Sequence, residues 1–185
     1  MTYLMSLLFL IVIGYATFKF IQLLRMMRKE IILPATSEEL LAIRKYPQKT
    51  VDFPNYDKQK VGIIFYSILL LFVVVMFILG KFILDFDWPL YLLLFLPFSN
   101  TQNLLNLFAV VEEGLLIGDR FIAWKKVKSF QFIPIDVNHR FYGYSKEVND
   151  GYELKIKMKI FSTSCIVTSD EVKEKLAGIL NNHVC

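Results

Sequence analysis

The sequence predicts a membrane α-helical protein joined to an α+β domain: three transmembrane helices, then a small antiparallel sheet closed by a C-terminal helix. Three observations predict it. Val61–Gly80 runs for twenty residues without a charge, an amide side chain or a proline, and at about 1.5 Å of rise per residue such a run crosses a hydrocarbon core of about 30 Å. The charges are segregated, since of 21 Lys and Arg eight lie from Arg25 to Lys60 and eleven follow Val111. Beyond Glu112 the apolar pattern turns from continuous to alternating, the signature of half-buried strands.

Composition agrees with this division. A hydrophobic fraction of 55% with 17 phenylalanines is rich for a globular chain, while 21% charged residues are too many for a chain made only of spans. A net charge of +4, with no basic stripe interleaved with aromatics, argues against nucleic acid as a partner. The lipid bilayer is the expected partner, with a membrane protein or a second copy of the chain as further ones.

The first span is predicted over residues 3–24. It lacks the basic leader and small-residue cleavage site of a removable signal peptide, so it is expected to be retained. Lys19 falls near its inner end, where its stem can lie along the helix while the ammonium reaches the head groups. Arg25, Arg28 and Lys29 follow, so the positive-inside rule puts this end in the cytosol and the N-terminus outside. The second span, residues 61–80, then leads to an outer turn with Lys81, Asp85 and Asp87.

The third span is predicted over residues 88–111, with Trp88 and Tyr91 as interface anchors and Pro97 as a kink. A re-entrant segment is the other reading; crossing is preferred because it keeps the eleven later basic residues inside. Within it, Asn100, Gln102, Asn103 and Asn106 form a candidate intramembrane polar face, the three asparagines recurring every third residue on about a third of the helix circumference. Amides facing lipid have no partner, so this face is expected to meet another helix, a ligand groove or a polar path.

The segment 25–60 is read as a cytoplasmic loop. Thr36 followed by Glu39 forms a capping-box pattern that predicts a short helix over SEELLAIRK, stopped before Pro47. Its modest basic excess suits anionic lipid.

Residues 112–185 are read as a cytosolic domain. Gly118-Asp119 predicts a tight hairpin turn between GLLI and RFIA. Tyr152, Leu154, Ile156, Met158 and Ile160 alternate with Glu153, Lys155, Lys157 and Lys159, predicting a strand with one apolar and one charged face. Thr168 and Glu171 form a second capping-box pattern ahead of a helix whose stripe is Val172, Leu176, Ile179 and Leu180.

With Gly114, Gly118, Trp124, Val127 and Phe130 in GLLIGDRFIAWKKVKSFQF, this domain resembles the pleckstrin-homology-like (PH-like) domains of small bacterial multi-span membrane proteins. The resemblance covers about 40% of the chain and implies a bent antiparallel sheet closed by one helix. The hairpin turn here carries Gly118, Asp119 and Arg120 in place of the several basic residues by which some eukaryotic relatives hold inositol phosphates. The resemblance also implies a bacterial cytoplasmic-membrane protein that uses the domain for protein or membrane-surface interaction, or one that protects its host against membrane-active bacteriocins. Arg25, Arg28, Lys29, Lys125, Lys126 and Lys128 are the candidate lipid-surface contacts.

No catalytic pattern is legible. His139 and His183 fall in no metal or nucleophile motif, and no glycine-rich phosphate loop occurs. Cys165 and Cys185 are expected to remain thiols in a reducing cytosol. The expectation is a non-enzymatic protein with no catalytic residue, no metal and no cofactor.

Overall fold

The computed structural model describes residues 2–83, 92–93, 96 and 104–184. Asn100, Gln102, Asn103, Trp88, Tyr91, Pro97 and Cys185 lie outside them.

Two long helices, α1 (Thr2–Met26) and α3 (Tyr56–Phe82), run antiparallel. Both are long and apolar enough to cross a membrane. In α3 the buried residues Gly62, Tyr66, Leu70, Val73, Phe77 and Gly80 recur every three or four positions, which makes one stripe of a 3.6-residue helix. That stripe meets α1: Phe9 stacks on Phe77 with centroids 4.9 Å apart, and Phe20 on Tyr66 at 4.4 Å. α3 starts five residues before the apolar run because the Asn55 side chain accepts a hydrogen bond from Lys58 N at 2.9 Å, capping the helix.

The rest builds two antiparallel sheets. The first has strand order β1 (Ile31–Leu33), β4 (Phe108–Val111), β5 (Gly114–Ile117), β6 (Arg120–Ala123). The second has the order β3 (Lys49–Thr50), β2 (Ile43–Tyr46), β9 (Ser162–Val167), β8 (Tyr152–Met158), β7 (Val127–Pro134). Phe108, Val110, Leu115 and Ile122 of the first sheet share one core with Ile43, Leu154, Ile156 and Val167 of the second. The C-terminal helix (Asp170–His183) closes that core with Val172, Leu176 and Leu180, the stripe expected from sequence. The turn at Gly118-Asp119 is also as expected: Ile117 pairs with Arg120, and Gly118 has φ +59°.

Five expectations are corrected. The third predicted span cannot run as a helix to Val111, because Phe108–Val111 is a strand paired with β1 and β5. Its apolar run is continuous because both faces are covered: Phe108 and Val110 face the shared core, while Ala109 and Val111 meet Leu23 and Met27 at the end of α1. A short apolar run of this kind does not distinguish a strand buried on both faces from a helix.

The predicted loop 25–60 is part of the sheets. β1 pairs with β4, and β2 pairs with β9 through Ile43 and Arg44. Consequently the helix expected over SEELLAIRK is confined to α2 (Ser37–Leu41), and β-branched Ile43 is drawn into the core as a strand residue. Thr36 caps α2 as predicted, accepting from Glu39 N at 3.2 Å, while Glu39 Oε2 accepts from Ala35 N at 2.7 Å.

At the C-terminal helix, Thr168 does not cap. Its hydroxyl donates to Ala42 O at 3.2 Å, Ser169 takes the cap position, and its side chain makes no capping bond. The strand expected to reach Ile160 ends at Met158, where Met158 N donates to Phe161 O at 2.8 Å and turns the chain. The connection from β7 to β8 carries one further short helix, α4 (Lys146–Asn149), and its Val148 and Ile135 cover Ile166 on the outer face of the second sheet.

Candidate functional site

Four elements converge where the helix pair meets the sheets: the last turn of α1, the first turn of α3, the β4–β5 turn and the 3₁₀ turn Trp124–Lys126. Tyr56 at the start of α3 donates its hydroxyl to Leu24 O at 2.8 Å and accepts from Arg28 Nε at 3.2 Å, with the Arg28 guanidinium 5.3 Å from the ring centroid. Lys29 pairs with Glu113 at 2.8 Å, which raises the lysine above its ordinary value and holds the carboxyl below the usual range. Both groups are solvated, so the pair orients the turn and adds little stability.

The 3₁₀ turn is fixed by its tryptophan. Trp124 Nε1 donates to Glu112 O at 2.7 Å, and its ring stacks on His183 at 4.4 Å with planes 3° apart. The sheet domain is thereby tied to the end of its closing helix. Lys125, Lys126 and Lys128 are exposed. Arg25 is exposed on the last turn of α1. Thus the six basic residues singled out from sequence divide into two groups. Arg28 and Lys29 have partners within the fold, while among the described residues Arg25, Lys125, Lys126 and Lys128 show no ion pair.

Asn106 is the described member of the predicted amide face, and it is not on a helix. Its Nδ2 donates to Thr50 O at 2.7 Å and Asp52 Oδ2 at 3.2 Å, while its backbone carbonyl accepts from Asp52 N at 2.8 Å and Gln59 Nε2 at 3.4 Å. It fastens the chain entering β4 to the segment leading into α3. The three-residue spacing that suggested a shared helical face has no such meaning once Asn106 leaves helical geometry.

A second polar cluster was not legible from sequence. Glu153, 4% exposed, accepts from Arg140 Nη2 at 2.5 Å and lies 2.9 Å from His139 Nε2. Phe141 N donates to His139 Nδ1 at 3.2 Å, so the imidazole carries its proton on Nε2 and donates it to the carboxylate. Burial acts to raise the Glu153 carboxyl, but hydrogen bonds from Ser164, Arg140 and His139 hold it below the usual range. Arg140, Lys155, Ser162, Thr163 and Ser164 surround an adjoining polar hollow of about 180 Å³. With Arg140 and His139 both engaged by Glu153, the cluster acts as a clamp that holds the β7–β8 connection on the sheet. Only alternation marked Glu153 beforehand, as one of four charged residues on one strand face.

Comparison with known proteins finds no matching family model, no similar curated protein and no similar solved structure.

Proposed function

We propose that this chain is an integral membrane protein in which α1 and α3 cross the bilayer as an antiparallel pair and hold a PH-like sheet domain at the cytosolic surface as a non-catalytic interaction module. The observation that carries this reading is the exposure of the helix pair. Leu8, Ile11 and Phe18 on α1, and Ile68, Leu71 and Ile78 on α3, are all exposed. A core helix of a soluble protein is covered; these faces need an apolar solvent.

Two further observations support it. Basic residues gather at the sheet end of the pair, which by the positive-inside rule is cytosolic. Leu104 lies against Gly62 near the start of α3, whereas Phe82 is twenty residues further along a continuous helix, about 30 Å away. Leu104, which leads into β4, therefore sits at the same end of α3 as the strands that precede that helix, so the strands before and after α3 share one side of the bilayer. Because the outer face of the first sheet rests on Leu23 and Met27, the domain is held close to the bilayer and presents its remaining surface to the cytosol, where it meets a membrane partner or a second copy.

A photoreactive amino acid at exposed Leu41 or Val137, in membranes from cells making the full chain, tests the interaction role. A discrete adduct of higher mass is expected. The absence of any adduct at both positions contradicts it.

A further inference from the structure

The turn joining β8 to β9 carries the most exposed large apolar side chain of the second sheet: Ile160 is 79% exposed, and its neighbour Phe161 63%. Lys157 and Lys159 flank it, both exposed. Its place in the fold is defined by pairing. Met158, the last residue of β8, sits opposite Val127, the first of β7. Val127 directly follows the Trp124–Lys126 turn, and that turn follows Ala123, the last residue of β6, which packs on the cluster holding Leu23 and Met27 at the end of α1. Leu23, on which the first sheet rests, lies in the last turn of α1, and exposed Phe18 and Ile21 precede it within about one and a half helical turns. The tip thus lies at the end of the second sheet that adjoins the helix pair, at the level where α1 passes from sheet contact to its exposed apolar stretch.

Large apolar side chains between ammonium groups match the composition of segments that lie in a membrane interface. The apolar groups enter the acyl boundary, while lysine stems lie along it and their charges stay with lipid phosphates. Resting on the reading of α1 and α3 as spans, we propose that the β8–β9 turn inserts Ile160 and Phe161 into the cytosolic leaflet beside α1, with Lys157, Lys159 and Lys126 on anionic head groups. The turn is then an attachment that does not span the bilayer, and it fixes how the sheet domain is tilted on the membrane. It also accounts for the early end of β8: continuing the strand would keep Ile160 in register with the core face instead of releasing it.

The test uses the full chain with Cys185→Ser, so that buried Cys165 is the remaining native thiol. A nitrobenzoxadiazole probe is placed singly by Phe161→Cys, Val137→Cys or Leu71→Cys. The proteins are reconstituted in phosphatidylcholine nanodiscs with and without phosphatidylglycerol, and quenching by shallow and deep spin-labelled lipids is read. Val137, 70% exposed, lies beyond the opposite end of β7, and Leu71 lies in mid-α3. The Phe161 probe is expected to be quenched by the shallow label at least about twofold more than the Val137 probe, as insertion of about 5–10 Å requires. Adding Lys157→Glu with Lys159→Glu is expected to reduce that quenching in anionic discs and leave the Leu71 probe unchanged. A Phe161 probe no more quenched than Val137, while Leu71 is quenched by the deep label, overturns the insertion alone. An unquenched Leu71 overturns the spanning reading and the insertion with it.

Discussion

Gly62 of α3 lies so close to the backbone of Leu104 that a Cβ built on it would overlap the Leu104 carbonyl oxygen and stand 2.7 Å from Leu105 Cδ2. The residue type here is set by contact between helix and returning chain, since a helical φ would accept alanine readily. Gly62→Ala forces α3 away from the segment that feeds β4, and we expect it to cost about 1–3 kcal/mol. A lowered thermal midpoint of the full chain in detergent checks this. Gly14→Ala, at a position with nothing within 4 Å of its Cβ, is expected to leave the midpoint unchanged or raised.

The Glu153 clamp gives a pH dependence whose direction is fixed. Because the folded-state carboxyl is held below its ordinary value, its contribution is present above the ordinary carboxylate range and is lost as pH falls through the folded value. Protease cleavage within the β7–β8 connection is expected to rise in acid. Glu153→Gln is expected to increase cleavage at neutral pH and to flatten the acid response. It leaves the Arg140 guanidinium without its anion and costs about 1–3 kcal/mol.

Trp124 combines a hydrogen bond and a stacking contact, and two substitutions separate them. Trp124→Phe keeps an aromatic ring against His183 and loses the bond to Glu112 O, for an expected loss of about 1 kcal/mol. Trp124→Ala loses both at a half-buried site, for about 1–3 kcal/mol. Equal losses in a chemical-unfolding series would mean that the stacking contributes nothing.

A chain cut at Glu112 is expected not to fold. Residues 112–185 retain β5 to β9 and the closing helix but lack β1 and β4 of the first sheet and β2 and β3 of the second. Val167 would then lose its pairing with Ile43, and Leu115 its pairing with Val110. Poor dispersion in the amide proton spectrum of this fragment is the expected result; a dispersed, cooperatively unfolding fragment would contradict the interleaved architecture.

Much of this architecture was legible where one local rule acted alone. The uncharged run of α3, the Gly118-Asp119 turn, the alternation from Tyr152 to Met158 and the Val172–Leu180 stripe each follow from chain-local periodicity or turn chemistry. The failures share a cause: long-range pairing. Ile43 reads as a helix residue until Val167 is beside it, and Phe108–Val111 reads as the end of a span until α1 covers one face and the shared core the other. Asn106 is a similar case, since its partners Thr50, Asp52 and Gln59 are about fifty residues away in sequence. The basic residues near the helix ends were identifiable from charge segregation alone. The pairing of Lys29 with Glu113 and the packing of Ala123 on the Leu23 cluster depend on how the sheets fold back on α1, which no spacing encodes.

If α1 and α3 span the bilayer as proposed, the strands before and after α3 form one domain on one side of it and the far end of α3 lies on the other. Cysteines introduced singly at Lys49, Glu147 and Lys81 in the Cys185→Ser chain, and treated with a membrane-impermeant maleimide in intact cells, test it most directly. Labelling at Lys81 is expected in intact cells, with labelling at Lys49 and Glu147 only after permeabilisation. Labelling of Lys49 and Glu147 from opposite sides, or of all three from the same side, would contradict it.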